Sequence, residues 1–163
     1  MKKTVKRTNR LRKTAKKHNK KKKTLSKNRS NGTKSHIVKV FFELLNMVKL
    51  YHWKTHSFAQ HKATDELYER LNENIDKFIE VLLGKDSSRI KMLERQIDLM
   101  DPTGSTEFKQ HIYEHREFLV NMNDTFDKTR DTDLLSIRDD ILGDVNQFLY
   151  LVILGIVHVL EHM

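Results

Sequence analysis

The sequence predicts an all-α protein, four long helices and a short fifth packed as an antiparallel bundle behind a basic tail. Three observations carry this. From Ile37 onward apolar residues recur at steps of three and four. One proline and five glycines leave little punctuation for many short elements. No segment alternates polar and apolar residues with the period of a strand.

The tail comes first. Residues 1–36 hold 16 of the 31 Lys and Arg and none of the 22 Asp and Glu, so the remainder carries 31 − 16 = 15 bases against 22 acids, a net of −7. After Met1 its apolar residues are Val5, Leu11, Ala15 and Leu25, too few to form a core, so disorder is expected over 1–36 and a folded body over 37–163. Sixteen unopposed charges favour a polyanion, because phosphate contacts release counterions. The expected DNA contacts are Lys2, Lys3, Lys6, Arg7, Arg10, Arg12, Lys13, Lys16, Lys17, Lys20, Lys21, Lys22, Lys23, Lys27 and Arg29. Nothing in the tail resembles a base-reading module, so this binding would be indifferent to sequence. The tail lacks the apolar core of a secretory signal, so the expected location is intracellular, with DNA in a nucleoid, nucleus or virion. Organelle targeting and nuclear import are alternative uses of such a tail.

The body opens with a helix over roughly 36–55, whose inward set is Val40, Phe41, Leu44, Leu45, Val48 and Tyr51. Ser57 is the N-cap of a second helix that runs to about Leu83 and closes at Gly84. Its apolar set is Leu67, Leu71, Ile75, Phe78 and Leu82. A short helix is expected over 86–101 (Ile90, Leu93, Ile97, Met100), stopped by Asp101-Pro102. The third long helix spans Ser105 to about Phe126 and the fourth runs from Asp133 to the end. The run FLYLVILGIVHVL over 148–160 is shorter than the ~20 residues a bilayer requires. It reads as a buried helix end or one docked on a second subunit.

Chemistry concentrates in HWKTHSFAQHKATDE, residues 52–66. At about 100° per residue, with His61 at zero, Asp65 falls near 40°, Asp76 near 60° and Glu80 near 100°. The apolar set of the same helix occupies roughly 240° to 320°, so the four polar residues form a stripe beside the core face. His61/Asp65 and Asp76/Glu80 are each spaced i,i+4 and each pair can converge on one ion. Along the axis His61 and Asp76 lie about 22 Å apart, so one ion cannot join both pairs within a chain. A single metal site therefore requires a two-fold dimer. Imidazole with carboxylate suits iron, manganese or zinc, and the absence of cysteine removes thiolate sites and disulfides. The plain alternative is a solvated helix edge with side-chain pairs.

The stretch HWKTHSFAQHKATDELYERLNENIDKFIE, His52 to Glu80, resembles the ferroxidase segment of Dps proteins, the ferritin-like miniferritins that coat bacterial DNA. His52-Trp53, His61, Asp65, Asp76 and Glu80 match that family's pattern, and the spacing on the second helix agrees at each step. The resemblance implies a ferritin-like fold, metal ligands at His52, His61 and Asp65 of one chain with Asp76 and Glu80 of its partner, and ferrous iron oxidised by peroxide or oxygen. It further implies twelve-subunit shells that bind DNA through lysine-rich tails, with Trp53 shielding the iron. The chain departs from the pattern between His52 and His61, nine residues apart where the family has twelve, and His56 is a candidate substitute for His52. The chain also resembles short proteins of large DNA viruses that share the HKATDELY stretch.

A second candidate site lies within one chain, with Glu107, His111, Glu114, His115 and Glu117 of helix three and Asp140 and Asp144 of helix four. His158 and His162 read as surface residues. The rival to an iron enzyme is a non-catalytic DNA-condensing or virion protein of the same fold, and a third reading is a structural oligomer with an import tail.

Overall fold

The structure, a computed structural model, describes residues 31–94 and 96–160, with side chains in the last helix described up to residue 152. Among the described residues there are four α-helices and no strand. They are α1 over 31–54, α2 over Phe58–Gly84, α3 over Ser105–Asn121 and α4 over Thr132–Leu160, with a 3₁₀ turn over Met122–Asp124 after α3. The all-helical bundle expected from periodicity is what the chain forms. The nucleic-acid contacts expected at Lys2 to Arg29 lie outside the described residues, as do the side chains of His158 and His162.

Among the described residues packing separates two compact units, residues 31–37 with 90–94, and residues 38–89 with 96–160. In the first, the Ser35 hydroxyl accepts from the Leu93 N–H at 2.9 Å, and helix is already formed at residue 31, before the charge pattern turns acidic.

The second unit holds the bundle. Its core is aromatic at the helix contacts. Phe41 of α1 meets Phe78 of α2 edge-on at 5.5 Å and Phe118 of α3 at 6.3 Å. Tyr51 stacks on Phe108 at 3.9 Å, and Phe108 meets Phe148 of α4 at 5.8 Å. Phe41, Phe78 and Phe108 are fully buried, each worth about 1.5–3 kcal/mol in removed apolar surface.

These pairs also set the helix directions. Residues 41 and 51 of α1 face 118 and 108 of α3, so those two run oppositely. On the α2–α4 face, Arg70 reaches Gln147 at 2.6 Å and Lys85 reaches Asp133 at 2.9 Å, so those two are antiparallel as well. Arg138 of α4 donates to the Leu119 carbonyl at 2.7 Å, near the start of α4 and the end of α3. With the tight α1–α2 turn, the order is up, down, down, up. The segment between α2 and α3 must therefore return along the bundle as one long crossover.

That crossover is not the short helix expected over 86–101. Residues 88–104 form no helix among those described. Ser87 leaves α2 with φ 54°, a left-handed residue that ends the helix in the place expected of Gly84, which remains helical. Helices this short depend on a face to bury, yet Leu93, Ile97 and Leu99 stay 54%, 42% and 62% exposed. Side chains take the backbone N–H groups instead. Glu43 accepts from Asp98 N–H at 3.1 Å, and Glu107 accepts from Thr103 N–H at 2.8 Å. Lys39–Asp98 and Lys54–Asp101 ion pairs hold the strand of chain against α1.

Candidate metal centre

The centre is built on the α1–α2 turn, which is closed by its own polar side chains. The Ser57 hydroxyl accepts from Gln60 N–H at 3.4 Å, the expected N-cap. The Gln60 carbonyl oxygen of the side chain accepts from Tyr51 Oη and Thr55 Oγ1, both at 2.8 Å. Burial pushes the Tyr51 hydroxyl above its ordinary value, so it remains a donor.

This turn delivers His52 to His61. The two imidazoles stack with centroids 3.9 Å apart and planes 24° from parallel. His52 Nδ1 lies 3.0 Å from the His61 carbonyl oxygen, and His61 Nδ1 lies 3.0 Å from the His52 carbonyl oxygen. A carbonyl only accepts, so both Nδ1 atoms carry the proton. In the neutral ring each Nε2 then presents a lone pair, the arrangement in which metal-binding imidazoles are held by their second nitrogen. Thr64, fully buried, supports the His52 ring at 3.3 Å while its own proton goes to backbone oxygens of Gln60 or His61.

The nine-residue spacing thus brings His52 into place without help from His56, which is exposed in the turn. Asp65 lies one helical turn along α2 from His61, its Oδ1 3.8 Å from His52 Nε2. Lys49 of α1 completes the surroundings, with its ammonium 3.8 Å from the same Oδ1, 4.7 Å from the Tyr68 ring and 6.0 Å from the Trp53 ring. Trp53 is 68% exposed, so within one chain it shields nothing.

Asp76 and Glu80 are exposed further along the unbroken α2. Helical rise puts them about 22 Å or more from His61 in the same chain. Among the described residues no group of three His, Asp or Glu side chains is arranged to hold a metal. One chain offers two imidazole nitrogens and one carboxylate at the turn, and two carboxylates far from it.

The second candidate site does not assemble. Asp144 turns to α2, where Asn74 donates to it at 2.9 Å and Arg70 lies at 3.5 Å. It lines an open groove of about 490 Å³ with Glu73, Asp139 and Asp140, on the α2–α4 face. On α3, Glu107 is taken up by the backbone N–H and hydroxyl of Thr103, which hold its carboxyl below the ordinary range. Glu114 is held low by its hydrogen bond with His111 at 3.0 Å. His115 is buried and donates to the His111 carbonyl at 2.8 Å, and desolvation pushes it below the ordinary imidazole value.

Two residues of the turn site escaped the reading of the sequence. Thr64 looked like an ordinary helix residue. Lys49 was legible in principle, since a lysine three positions before His52 shares its helix face.

One family model matches residues 52–152, described as a family of unknown function (DUF5856). No curated protein and no solved structure matches the chain.

Proposed function

The chain belongs to the DUF5856 family, and we propose that it is a ferritin-like, Dps-like protein that binds and oxidises ferrous iron at a site shared by two copies and contacts DNA through its basic tail. The carrying observation is the His52–His61 pair, whose Nδ1 protons are both given to backbone carbonyls. The Nδ1 bonds leave the Nε2 atom of each neutral ring as the ligating nitrogen, with that of His52 3.8 Å from Asp65 Oδ1. The match over 52–152 begins at His52 and so takes in all five expected ligands. The up, down, down, up course with one long crossover supports a ferritin-like plan, since such bundles have one long connection.

His52, His61 and Asp65 would hold the substrate ion from one side, and Asp76 and Glu80 of a second copy from the other. Manganese or zinc would fit the same donors. The bound iron would supply electrons to peroxide or oxygen. The chain's own part is to hold ligand nitrogens in one tautomer and to offer carboxylates that balance the ion's charge.

Anaerobic loading with ferrous iron followed by peroxide tests the reading in the native protein, His61→Ala and Asp76→Ala. Oxidation should be fast in the first and slow in both variants; equal rates in all three would remove the assignment. The tail predicts DNA binding whose logarithm falls steeply with the logarithm of salt, and which is lost on deletion of residues 1–30. A non-catalytic DNA-condensing or virion protein is the second reading, favoured by the lack of a three-ligand group among the described residues of one chain. It expects the DNA result with no iron retained. Among the described residues no helix is long and apolar enough to cross a membrane.

A further inference from the structure

Three side chains of α1 hold the crossover segment 96–101. The buried Glu43 carboxylate accepts from the Asp98 N–H at 3.1 Å. Lys39 lies 3.1 Å from the Asp98 carboxylate and 3.5 Å from Glu43, and Lys54 pairs with Asp101. Both lysine pairs reach carboxylates that face solvent, so each holds weakly. Glu43 is the firm attachment, being a charged acceptor on a backbone donor away from water. It also has a neighbour on another helix. Phe41 meets Phe118 and Tyr51 meets Phe108, so α1 and α3 run oppositely with Glu43 level with Arg116, beside His115. The Glu43 charge reaches the buried His115 ring. That ring's Nδ1 proton goes to the His111 carbonyl at 2.8 Å, so an added proton lands on Nε2. Of its other neighbours, Glu114 is already bonded to His111 at 3.0 Å, and α4 is level with it near Ile141, which is buried and apolar. Glu43 is the carboxylate left to receive a charge on Nε2.

We propose that His115 is a proton sensor for the crossover: once protonated, it draws Glu43 away from the Asp98 N–H and frees residues 96–101 from α1. Two effects act in the same direction. A hydrogen bond with both partners charged is stronger than one from a neutral amide, so Glu43 exchanges the Asp98 N–H for the imidazolium. Burial also disfavours the imidazolium in the closed form, holding its value below 6.5. An opening that admits water to the ring restores the ordinary value, so the open form binds the extra proton. Opening is therefore favoured as pH falls below about 6.5, until the lowered closed value is reached. With Glu43 turned away, the exposed Lys39–Asp98 and Lys54–Asp101 pairs are too weak to keep the segment in place. No metal takes part, so the device stands apart from the iron reading.

The chain has no cysteine, and Leu99 on the crossover is 62% exposed, so Leu99→Cys accepts a single nitroxide label in the full chain. Label mobility is followed by electron paramagnetic resonance as pH is lowered through about 6.5, with far-UV circular dichroism on the same samples. The mobile fraction should rise by up to about tenfold per pH unit, the slope of one proton, while the helical signal stays constant. The same protein carrying His115→Gln should show no such rise. Glu43→Gln keeps an oxygen for the Asp98 N–H but offers no charge to an imidazolium, and should respond as little. It carries the test alone should His115→Gln not fold. A rise equal to the native one in either folded variant overturns the proposal. So does a native label that stays immobile, or a rise that coincides with loss of helix, which is unfolding of the bundle.

Discussion

His52 and His61, on different helices, exchange hydrogen bonds in both directions: each ring's Nδ1 proton goes to the other residue's backbone carbonyl at 3.0 Å, with the rings stacked between. The pair is a clasp on the α1–α2 turn that leaves both Nε2 atoms outside it, that of His52 3.8 Å from Asp65 Oδ1.

As a clasp it has a measurable worth. His52→Ala removes one hydrogen bond, the stacked partner and a largely buried ring. The expected loss is about 2 kcal/mol in urea unfolding. His56→Ala, on the same turn but exposed, should change stability by less than about 0.5 kcal/mol.

If two copies share each site, separate defects should repair one another. His61→Ala and Asp76→Ala should each be inactive alone, because every site would lack a ligand. In a mixed dimer one site receives its His61 from one chain and its Asp76 from the other. Unfolding and refolding an equal mixture should therefore restore roughly a quarter of the native ferrous-oxidation capacity, as two-fold pairing requires. Recovery of none, with each variant folded, would place both residues outside a shared site.

His115 makes stability depend on pH. Burial holds its folded value below the ordinary 6.5, which the unfolded chain regains. Between those two values the unfolded state binds the extra proton. The contribution is thus complete above about pH 6.5 and is lost as pH falls towards the lowered folded value. Glu107, Glu114, Asp127 and Asp133 are also held low, but from ordinary values of 4.5 and 3.8, so they act in a more acidic window. His115→Gln should flatten the fall in unfolding free energy as pH drops below about 6.5. An unchanged slope would assign it to other groups.

Arg138 joins the two later helices. It is 5% exposed, donates to the Leu119 carbonyl at 2.7 Å and to Asn123 Oδ1 at 2.9 Å, and pairs with Asp139. Arg138→Met removes the side-chain donor to the Leu119 carbonyl and to Asn123 and should lower the urea midpoint by an amount equal to about 1–3 kcal/mol. Arg138→Lys cannot serve both acceptors from one fork and should recover only part of the loss.

Local chemistry along the chain was enough to determine the four helices, the Ser57 cap, the core faces and the grouping of His61 with Asp65, because each depends on spacing within one element. Between elements that information fades. The helical period of Ile90, Leu93, Ile97 and Met100 was present, yet no helix formed there, since its apolar side chains found no face to bury them and Glu43 and Glu107 offered acceptors to the backbone instead. His111 and Asp144 shared a plausible ligand pattern, but Asp144 is engaged by Arg70 and Asn74 of α2 and His111 by Glu114 of its own helix. Tertiary structure alone decided that the short turn carries His52 onto His61, which tautomer both rings adopt, and that Lys49 stands beside Asp65. Those outcomes depend on distances of a few ångströms between residues on different helices, and a linear pattern does not encode them.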